Sequence, residues 1–291
     1  METSSCPACG HPVREGIQKW HRQCTQCTYE GSTLQVDIDV RGDREVLDEL
    51  LREEGLAALR RQNFRVLADD VSARFPSNGP ARPRLLDVGC AHGWFLEAAA
   101  SHFDVVGIEP DARVADSAVA RGLPARRGFF PDVLDAHERF DVIIFNDVME
   151  HIPDIVAALH ACALHLSAGG VVVINAPART GMLYRVARVM AAVGLPASFE
   201  RMWQKDFPSP HVHYLDDRSV RALGARTGLS LERSRTLPSL SVRGLYARIR
   251  YDRTVPASKA VVMTCILTIM APVLRLLPAD IKVWTLAAAR N

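Results

Sequence analysis

From Arg84 onwards, short apolar runs alternate with longer stretches in which apolar residues recur every three or four positions. The apolar runs are LLDV at 85–88, DVVGI at 104–108, DVIIFN at 141–146 and VVVINAP at 171–177. The stretches between them, such as WFLEAAA at 94–100, have the spacing of helices. Strands that alternate with helices are typical of βαβ units. The pattern predicts a doubly wound α/β domain with a mostly parallel sheet.

The distribution of these elements divides the chain into four parts. Residues 1–35 are rich in cysteine and glycine, and residues 36–80 form a charged stretch that we interpret as a helical linker. Residues 81–250 contain the predicted sheet, which we expect to close near residue 250, with an insertion at 181–206 that carries an amphipathic helix. Residues 251–291 are basic and then apolar. The insertion is interpreted either as a lid or as a helix packed on the core.

The turn after the first predicted strand has the sequence DVGCAHG. Gly89 and Gly93 allow the backbone to come close to a ligand, because neither carries a Cβ atom. Asp87 lies at the end of the first strand, and Glu109 ends the second strand 22 residues later. In a doubly wound sheet, a carboxylate at about this distance binds the ribose hydroxyls of a nucleotide cofactor. The spacing D-x-G-x-x-x-G differs from the GxGxxG pattern of nicotinamide cofactors.

Four segments in order resemble successive motifs of class I S-adenosylmethionine-dependent methyltransferases: LLDVGCAHGWFLE, VVGIEPD, FDVIIFNDVMEHIPD and GGVVVINAP. The resemblance covers roughly residues 80–235 and implies a Rossmann-like fold. VMEHIPD, followed by HVHYLDDRSVRALGARTGL, is similar to the subgroup of ubiquinone-biosynthesis and polysaccharide-cluster O-methyltransferases. The chain departs from the usual D-x-G-x-G-x-G pattern at the middle glycine, where it has Ala91.

The resemblance implies S-adenosylmethionine as the cofactor, together with a set of contacts for it. Gly89, Cys90 and Gly93 of the glycine turn are implied to line the methionine portion, and Asp87 and Ala91 of the same segment are further implied cofactor contacts. Glu109 is implied to accept hydrogen bonds from the ribose hydroxyls, and Asn146 to lie beside the transferred methyl group. The adenine contact stays open between Phe129, Phe130 and Asp132, in the loop after the third predicted strand.

Methyl transfer to a hydroxyl group also requires removal of the hydroxyl proton, a task that suits histidine. His151 is the first candidate base, because it follows the fourth strand on the cofactor side. His211 and His213 are the second candidates, with His213 preferred, since the resemblance implies that SPHVHYLDD folds over the acceptor pocket. A supporting role for His151 and a surface role for the other two are the alternatives.

A divalent metal ion is a further interpretation of the segment after the fourth strand. Asp147, Glu150 and His151 can share one face at helical spacing, and two carboxylates with an imidazole form a suitable ligand set. Similarity to the ubiquinone subgroup also suggests such an ion.

Two C-x-x-C pairs near the start of the chain, separated by 14 residues, have the spacing of a zinc ribbon. The predicted ligands are Cys6, Cys9, Cys24 and Cys27. Four sulfur ligands fill the tetrahedral positions of zinc, so this ion is expected to be structural. His11 and His21 are alternative ligands. The chain begins without a charged segment followed by an apolar one, so we expect no secretory signal and a cytoplasmic location.

Charge is distributed unevenly along a chain of otherwise ordinary globular composition, which argues against extensive disorder. Residues 1–178 contain 17 Lys and Arg against 26 Asp and Glu, whereas residues 179–291 contain 18 against 7. A basic half indicates an anionic partner, which can be a phospholipid surface, a phosphorylated or nucleotide-linked substrate, or nucleic acid. A solvated basic face without a partner is the alternative.

The segment AVVMTCILTIMAPVL contains 15 uncharged residues between Lys259 and Arg275. A bilayer span needs about 20 such residues, so the segment is not predicted to cross a membrane. Basic residues just before it fit an anchor on the surface of an anionic membrane, here the inner membrane face. A helix packed on the sheet, or in a homodimer interface, is the alternative.

Together these features predict an S-adenosylmethionine-dependent methyltransferase that acts on an oxygen of a small molecule, glycan or lipid-linked acceptor. A ribosomal-RNA methyltransferase, with the ribbon on RNA, is the first alternative. The acidic character of VDIDVRGDREVLDELLREE argues against it. A non-catalytic scaffold that binds the cofactor is the second alternative.

Overall fold

The computed structural model describes residues 5–37, 49–75, 82–239, 244–250, 255–274 and 277–289. The strands in this part are β1 (Val13–Glu15), β2 (His21–Cys24), β3 (Glu30–Ser32), β4 (Arg84–Val88), β5 (Asp104–Glu109), β6 (Ala125–Arg127), β7 (Phe140–Asn146), β8 (Leu166–Pro177), β9 (His213–Tyr214), β10 (Leu229–Leu237) and β11 (Ile281–Ala288). The helices are α1 (Glu49–Ser72), α2 (Trp94–Ala99), α3 (Ala112–Ala120), α4 (Ile155–His165), α5 (Met182–Ala192), α6 (Ala197–Met202), α7 (Asp217–Thr227), α8 (Leu245–Arg250) and α9 (Ala257–Leu274). A single 3₁₀ turn covers Met149–His151.

The larger sheet has seven strands in the order β10-β11-β8-β7-β4-β5-β6. The five strands from β8 to β6 pair in parallel, which confirms the predicted doubly wound α/β fold. The centres of β4 and β7 are apolar without alternation, as expected of strands that are covered on both faces. Leu86 and Ile143 lie in the core on one face, and Leu85 and Ile144 lie in the core on the other.

The end of the sheet differs from the prediction that it closes near residue 250. Strand β11 lies between β8 and β10, antiparallel to both. Trp284 in this strand is fully buried, and its Nε1 donates to Asp217 Oδ1 at 2.7 Å. The sheet therefore includes residues 281–288. In sequence, the apolar segment lies between these residues and the rest of the domain.

The apolar segment before β11 forms helix α9, as predicted. Among the helices of the described residues, none combines the length and hydropathy needed to cross a bilayer. Helix α8 lies against both α1 and α9. Part of the predicted linker (38–48 and 76–80) and the basic residues Arg243, Arg253 and Arg275 fall outside the described residues.

The cysteine-rich segment forms a small antiparallel sheet, β1-β2-β3, which continues into β9 of the main body. Glu30 pairs with Tyr214 and Gly31 pairs with His213. Cys6 and Cys27 also belong to the same apolar core as residues of α7. The ribbon is therefore joined to the main body by backbone hydrogen bonds and by a shared core.

The insertion at 181–206 forms α5 and α6, and it packs on the ribbon. Trp20 of the ribbon stacks on Phe199 with ring centroids 5.7 Å apart and meets Trp203 edge to face at 5.5 Å. Phe199 and Trp203 are fully buried. This arrangement corresponds to the packed-helix interpretation of the insertion, with the ribbon as the surface it covers.

Candidate functional site

The glycine turn joins β4 to α2 at the carboxyl edge of the sheet. The N–H groups of Gly89 and Cys90 both donate to the carbonyl of Ile108, at 2.8 and 3.0 Å, which holds the turn against β5. Gly89 has a φ of +71°, and a Cβ atom there would lie 2.5 Å from Val148 Cγ2. Ala91 has a φ of +45°, a left-handed conformation that costs an L-residue about 1–2 kcal/mol. The turn thus keeps a glycine-like backbone at Ala91.

Glu109 ends β5 directly beside this turn. Its Oε2 accepts from the N–H of Ala91 and its Oε1 accepts from the N–H of Asp111, each at 2.9 Å. Burial raises the pKa of Glu109, although both backbone N–H groups lower it. The two hydrogen bonds fix the orientation of the carboxylate, which still has lone pairs to accept from ribose hydroxyls.

Asp87 and Asn146 lie side by side at the ends of β4 and β7. Asn146 Nδ2 donates to Asp87 Oδ1 at 3.1 Å, and Asn175 Nδ2 donates to Asn146 Oδ1 at 3.3 Å. Burial raises the pKa of Asp87 to about 8; the hydrogen bond from Asn146 lowers it, and the charge of Glu109 adds to the rise. A cation bound here would reverse this shift, since it would favour the carboxylate.

A cavity of about 250 Å³ lies over these groups. Its lining includes most of the predicted cofactor residues: Asp87, Gly89, Cys90, Ala91, Glu109 and Asn146. Three of the lining side chains are carboxylic acids, and the lining cation Arg60 is 3.4 Å from one of them, Asp147. This composition suits a ligand with positive charge and with hydroxyl groups, as S-adenosylmethionine has.

Two predicted cofactor residues do not line this cavity. Gly93 caps the start of α2 with a φ of +76°. A Cβ atom at this position would lie 2.3 Å from Leu123 Cδ1. Asp132 is exposed in the loop after β6. In the same loop, Phe129 is 48% exposed, and the Phe130 ring packs edge to face on Phe145 at 5.8 Å. Gly93 therefore shapes the turn, and the adenine contact stays a prediction.

The 3₁₀ turn after β7 brings three titratable side chains together. The ligand atoms of Glu150, His151 and His211 all lie within 4.8 Å of one another. Both carboxylate oxygens of Glu150 are buried without a hydrogen-bond partner among the described residues. Burial raises the pKa of Glu150 well above its usual value, and the charge of Asp147 adds to the rise. The predicted set of Asp147, Glu150 and His151 is thus replaced by one in which His211 takes the place of Asp147.

His151 has a defined hydrogen bond to the segment that covers this cluster. Its Nδ1 is 3.0 Å from the carbonyl oxygen of Pro210 and 3.2 Å from the hydroxyl oxygen of Ser209. The carbonyl oxygen only accepts, so a neutral ring that satisfies this contact carries its proton on Nδ1. The lone pair is then on Nε2. The rings of His151 and His211 are 4.8 Å apart, and burial lowers the pKa of His211 to about 3.

His213 does not belong to this cluster, which argues against it as the base. Its Nε2 donates to the carbonyl oxygen of Ile152 at 2.8 Å, and its Nδ1 accepts from the hydroxyl of Tyr29. The side chain is buried, and burial lowers its pKa to about 4. Both nitrogens are thus used, Nε2 within the main body and Nδ1 in its contact with the ribbon.

The four predicted zinc ligands lie together in the ribbon. Sulfur to sulfur distances are 3.6 Å for Cys6 and Cys27 and 3.4 Å for Cys9 and Cys24, and all four lie within 4.8 Å. A tetrahedral ion with zinc to sulfur bonds of about 2.3 Å places sulfurs about 3.8 Å apart. The donor set and its spacing therefore fit zinc.

The electrostatics of the thiols agree with this fit. Burial raises the pKa of Cys6 to about 12 and that of Cys27 further, so the buried thiols need a cation to ionise. Burial also acts on Cys24, but the N–H groups of Cys27 and Gln26 more than offset it and lower its pKa to about 7.

The alternative histidine ligands are placed elsewhere. His21 Nε2 is 3.1 Å from Glu30 Oε2 and its Nδ1 accepts from the N–H of Ile17. His11 is exposed.

Comparison with known proteins agrees with this geometry. Residues 59–234, more than half of the chain, match the model of a family described as "Methyltransferase domain". The chain belongs to this methyltransferase family. It is 34% identical over 176 residues to a ubiquinone biosynthesis O-methyltransferase of Paramagnetospirillum magneticum (strain ATCC 700264 / AMB-1), with 57% of this chain and 69% of that protein covered. It is 35% identical over 129 residues to the enzyme of the same name from Cereibacter sphaeroides (strain ATCC 17025 / ATH 2.4.3), with 42% and 51% covered.

The chain spans about half the length of most of the curated relatives it matches. Among solved structures, the methyltransferase fold is similar to the cyclopropane synthase MmaA2 from Mycobacterium tuberculosis. The TM-score is 0.51 at 20% identity, over 76% of this chain and 83% of that one. It is also similar to the magnesium protoporphyrin IX methyltransferase ChlM from Synechocystis PCC 6803 with bound SAH. That TM-score is 0.50 at 13% identity, over 85% and 90% of the two chains.

The methyltransferase site also contains residues that the sequence analysis did not select. The cavity is lined by Arg60 and Phe64 of α1, by His92 of the glycine turn and by Trp94 at the start of α2. Helix α1 is part of the predicted linker, although the family match begins at residue 59, within this helix. The spacing of Phe64, Leu67 and Val71, all buried, is the sequence signal that α1 packs on the sheet.

Proposed function

We propose that this chain transfers the methyl group of S-adenosylmethionine to a hydroxyl oxygen of a small-molecule, glycan or lipid-linked acceptor. The observation that carries this proposal is the acidic cavity at the carboxyl ends of β4, β5 and β7. There Glu109 is held in place for the ribose, and Asp87 is available to a positively charged sulfonium or ammonium group. The names of the relatives support oxygen as the methylated atom.

The proposed reaction is an in-line displacement at the methyl carbon. A bond forms between the acceptor oxygen and this carbon, the bond from carbon to sulfur breaks, and S-adenosylhomocysteine leaves. Asn146 lies beside the methyl group, and the acceptor proton passes to Nε2 of His151. Phe129 and Phe130 are the proposed contacts of the adenine ring, since their loop follows β6, the strand that pairs with β5 at Glu109.

Transfer from methyl-labelled cofactor tests the proposal. The purified protein is incubated with a lysate of the source cell, which is then separated into organic extract, polysaccharide, RNA and protein. Label in the organic extract or in polysaccharide is the expected result. Label confined to RNA would contradict the proposal and favour the rRNA methyltransferase.

The assignment of His151 as the base makes a kinetic prediction. His151→Ala is expected to lower the single-turnover rate on the labelled acceptor fraction by about 10²–10⁴-fold, because the proton loses its acceptor. His160→Ala, on the exposed face of α4, is the matched control and should keep the wild-type rate. A His151→Ala enzyme with an unchanged rate across the pH range would rule out the assignment.

The same cluster supports a second role, because Glu150, His151 and His211 also fit a divalent cation. The two buried, unpartnered oxygens of Glu150 are what such an ion would satisfy. A cation bound there would lower the pKa of an acceptor hydroxyl. Metal analysis separates the two roles, since this one requires an equivalent of metal beyond that of the ribbon.

A peripheral location at an anionic membrane is part of the proposal. Helix α9 has exposed apolar side chains along its length, namely Val261, Val262, Met263, Ile266, Ile269 and Met270. In the described part of the chain, this helix carries one charged residue, Lys259, near its start. An exposed apolar helix with a basic start fits a surface that is apolar inside and anionic outside.

We therefore expect Ile266→Asp with Ile269→Asp to reduce flotation with anionic vesicles at least several-fold, because both side chains are more than half exposed. Leu164→Asp on α4, 72% exposed, is the control and should float like the wild type. Equal flotation of the double variant would contradict the membrane contact. A change from dimer to monomer in the double variant, without flotation of the wild type, would assign α9 to a homodimer interface instead.

A further inference from the structure

A second cavity, of about 210 Å³, lies at the seam between the ribbon and the methyltransferase domain. It shares no lining residue with the cofactor cavity. Its lining includes four arginines from separate elements: Arg14 on β1, Arg179 after β8, Arg188 on α5 and Arg218 at the start of α7. Three of these arginines belong to the basic part of the chain, residues 179–291, and the fourth, Arg14, comes from the ribbon. The tertiary fold thus brings positive charge from both parts of the chain to one place.

Two of these arginines are already paired with carboxylates. Glu30, 2% exposed, is 3.0 Å from Arg179 and 2.9 Å from Arg188, and it also accepts from Tyr184. Asp216 is 2.8 Å from Arg179. Burial opposes the charge of Glu30, but these partners and His21 lower its pKa to about 2. Glu30 is therefore ionised, and both carboxylates are engaged by this network, which forms one wall of the cavity.

The other two arginines have no carboxylate partner among the described residues. Arg14 is exposed on β1 and lies directly opposite Gln23 of β2. The Nε2 of Gln23 is buried and lacks a hydrogen-bond acceptor in the same described part of the chain. Gln23 and both arginines line the cavity. The cavity therefore presents side-chain N–H donors from Arg14, Arg218 and Gln23 that have no acceptor among the described residues. The carboxylates of Glu30 and Asp216, in contrast, are already engaged by Arg179 and Arg188.

We propose that this cavity binds a phosphate or diphosphate group. Guanidinium groups bind tetrahedral oxyanions through paired N–H donors, and the amide of Gln23 supplies a neutral donor in the same cavity. The site is separate from the methyl-transfer chemistry and does not depend on it.

A competing account of the arginines is that they only balance the charge of the ribbon. Cys24 also lines the cavity, and a zinc ion with four thiolates has a net charge of −2. On that account the arginines would stabilise zinc and leave no affinity for an external anion. The two accounts therefore differ in whether a free anion binds to the zinc-loaded protein.

Calorimetric titration of inorganic pyrophosphate into the zinc-loaded full chain tests the proposal. The wild type is expected to bind one equivalent with a Kd below about 1 mM. Arg14→Gln with Arg218→Gln should weaken binding at least tenfold while zinc content stays at one equivalent. Arg65→Gln with Arg113→Gln removes the same charge from two exposed positions elsewhere and should change the Kd less than twofold.

Equal weakening by both double variants would overturn the proposal, since it would reveal a general charge effect. If the wild type did not bind pyrophosphate, the proposal would be wrong. Loss of zinc from the first variant would then assign the arginines to the stability of the ribbon alone. Should the first variant fail to fold, amide chemical shifts of the wild type give the answer. Pyrophosphate must then perturb β1, β2 and the start of α7, and leave the glycine turn unchanged.

Two sources of the phosphate group are separated by a second arm. Flotation with phosphatidate vesicles in the presence of pyrophosphate distinguishes a lipid headgroup from a soluble phosphorylated compound. Competition between the two assigns the headgroup to this cavity. Pyrophosphate binding without any effect on flotation assigns the cavity to a soluble compound or to the phosphate linkage of the acceptor.

Discussion

Glu109→Ala is expected to weaken binding of S-adenosylhomocysteine about 100-fold or more. The Glu109 carboxylate is already oriented by the N–H groups of Ala91 and Asp111, so it needs no rearrangement to accept from two ribose hydroxyls. Hydrogen bonds to a charged group contribute about 1.5–3 kcal/mol each. Loss of two of them corresponds to at least two orders of magnitude in affinity. Calorimetric titration of the zinc-loaded protein measures this change.

Asp104→Ala provides the matched control for this prediction. Asp104 begins the same strand, β5, at the opposite edge of the sheet, and it is exposed. The substitution removes the same charge from the same strand and should change the affinity less than twofold. If both variants bound the cofactor product as the wild type does, the ribose would have to lie away from the end of β5.

Removal of the ribbon metal is expected to have the largest effect on stability. Cys24→Ser with Cys27→Ser should abolish zinc binding and lower the melting temperature by at least about 10 °C. Structural zinc sites contribute of the order of 10 kcal/mol, and about 1 kcal/mol corresponds to about 2–4 °C in a domain of 150–250 residues. Metal analysis and a thermal melt give the two measurements.

The structure also indicates where the destabilisation should appear. The ribbon continues into β9 and shares its core with α7, and Trp20 packs on α6. Hydrogen exchange should therefore rise in α5, α6 and β9 as well as in the ribbon, while the centre of the large sheet stays protected. Cys265→Ser, at an exposed position of α9, is the control. A stable, fully protected double variant without zinc would contradict the structural role.

Much of the fold follows from local sequence patterns. The apolar runs of β4, β5, β7 and β8 are long and regular, and they are separated by helical spacing, so their parallel pairing was predictable. The glycine turn and Glu109 were also predictable, because a nucleotide cofactor is bound by the turn after the first strand and by a carboxylate at the end of the second. The four cysteines have a spacing that few other structures require.

Other features depend on contacts between distant parts of the chain. Strand β11 follows an apolar helix and pairs with β8, more than a hundred residues earlier. His211 and His151 are 60 residues apart in sequence, and the adjacent Val212 N–H donates to the carbonyl of Glu150. His213 instead pairs with Gly31 of the ribbon. The seam arginines come from four separate elements. No local pattern carries these relationships, because each arises from tertiary pairing.

The central claim is that the cavity over the glycine turn holds S-adenosylmethionine, and a crystal structure with S-adenosylhomocysteine tests it most directly. The account predicts both ribose hydroxyls on the Glu109 carboxylate, the amino acid portion over the turn that begins at Gly89, and the sulfur beside Asn146. Ligand density elsewhere on the protein, or a ribose that does not contact Glu109, would contradict the account.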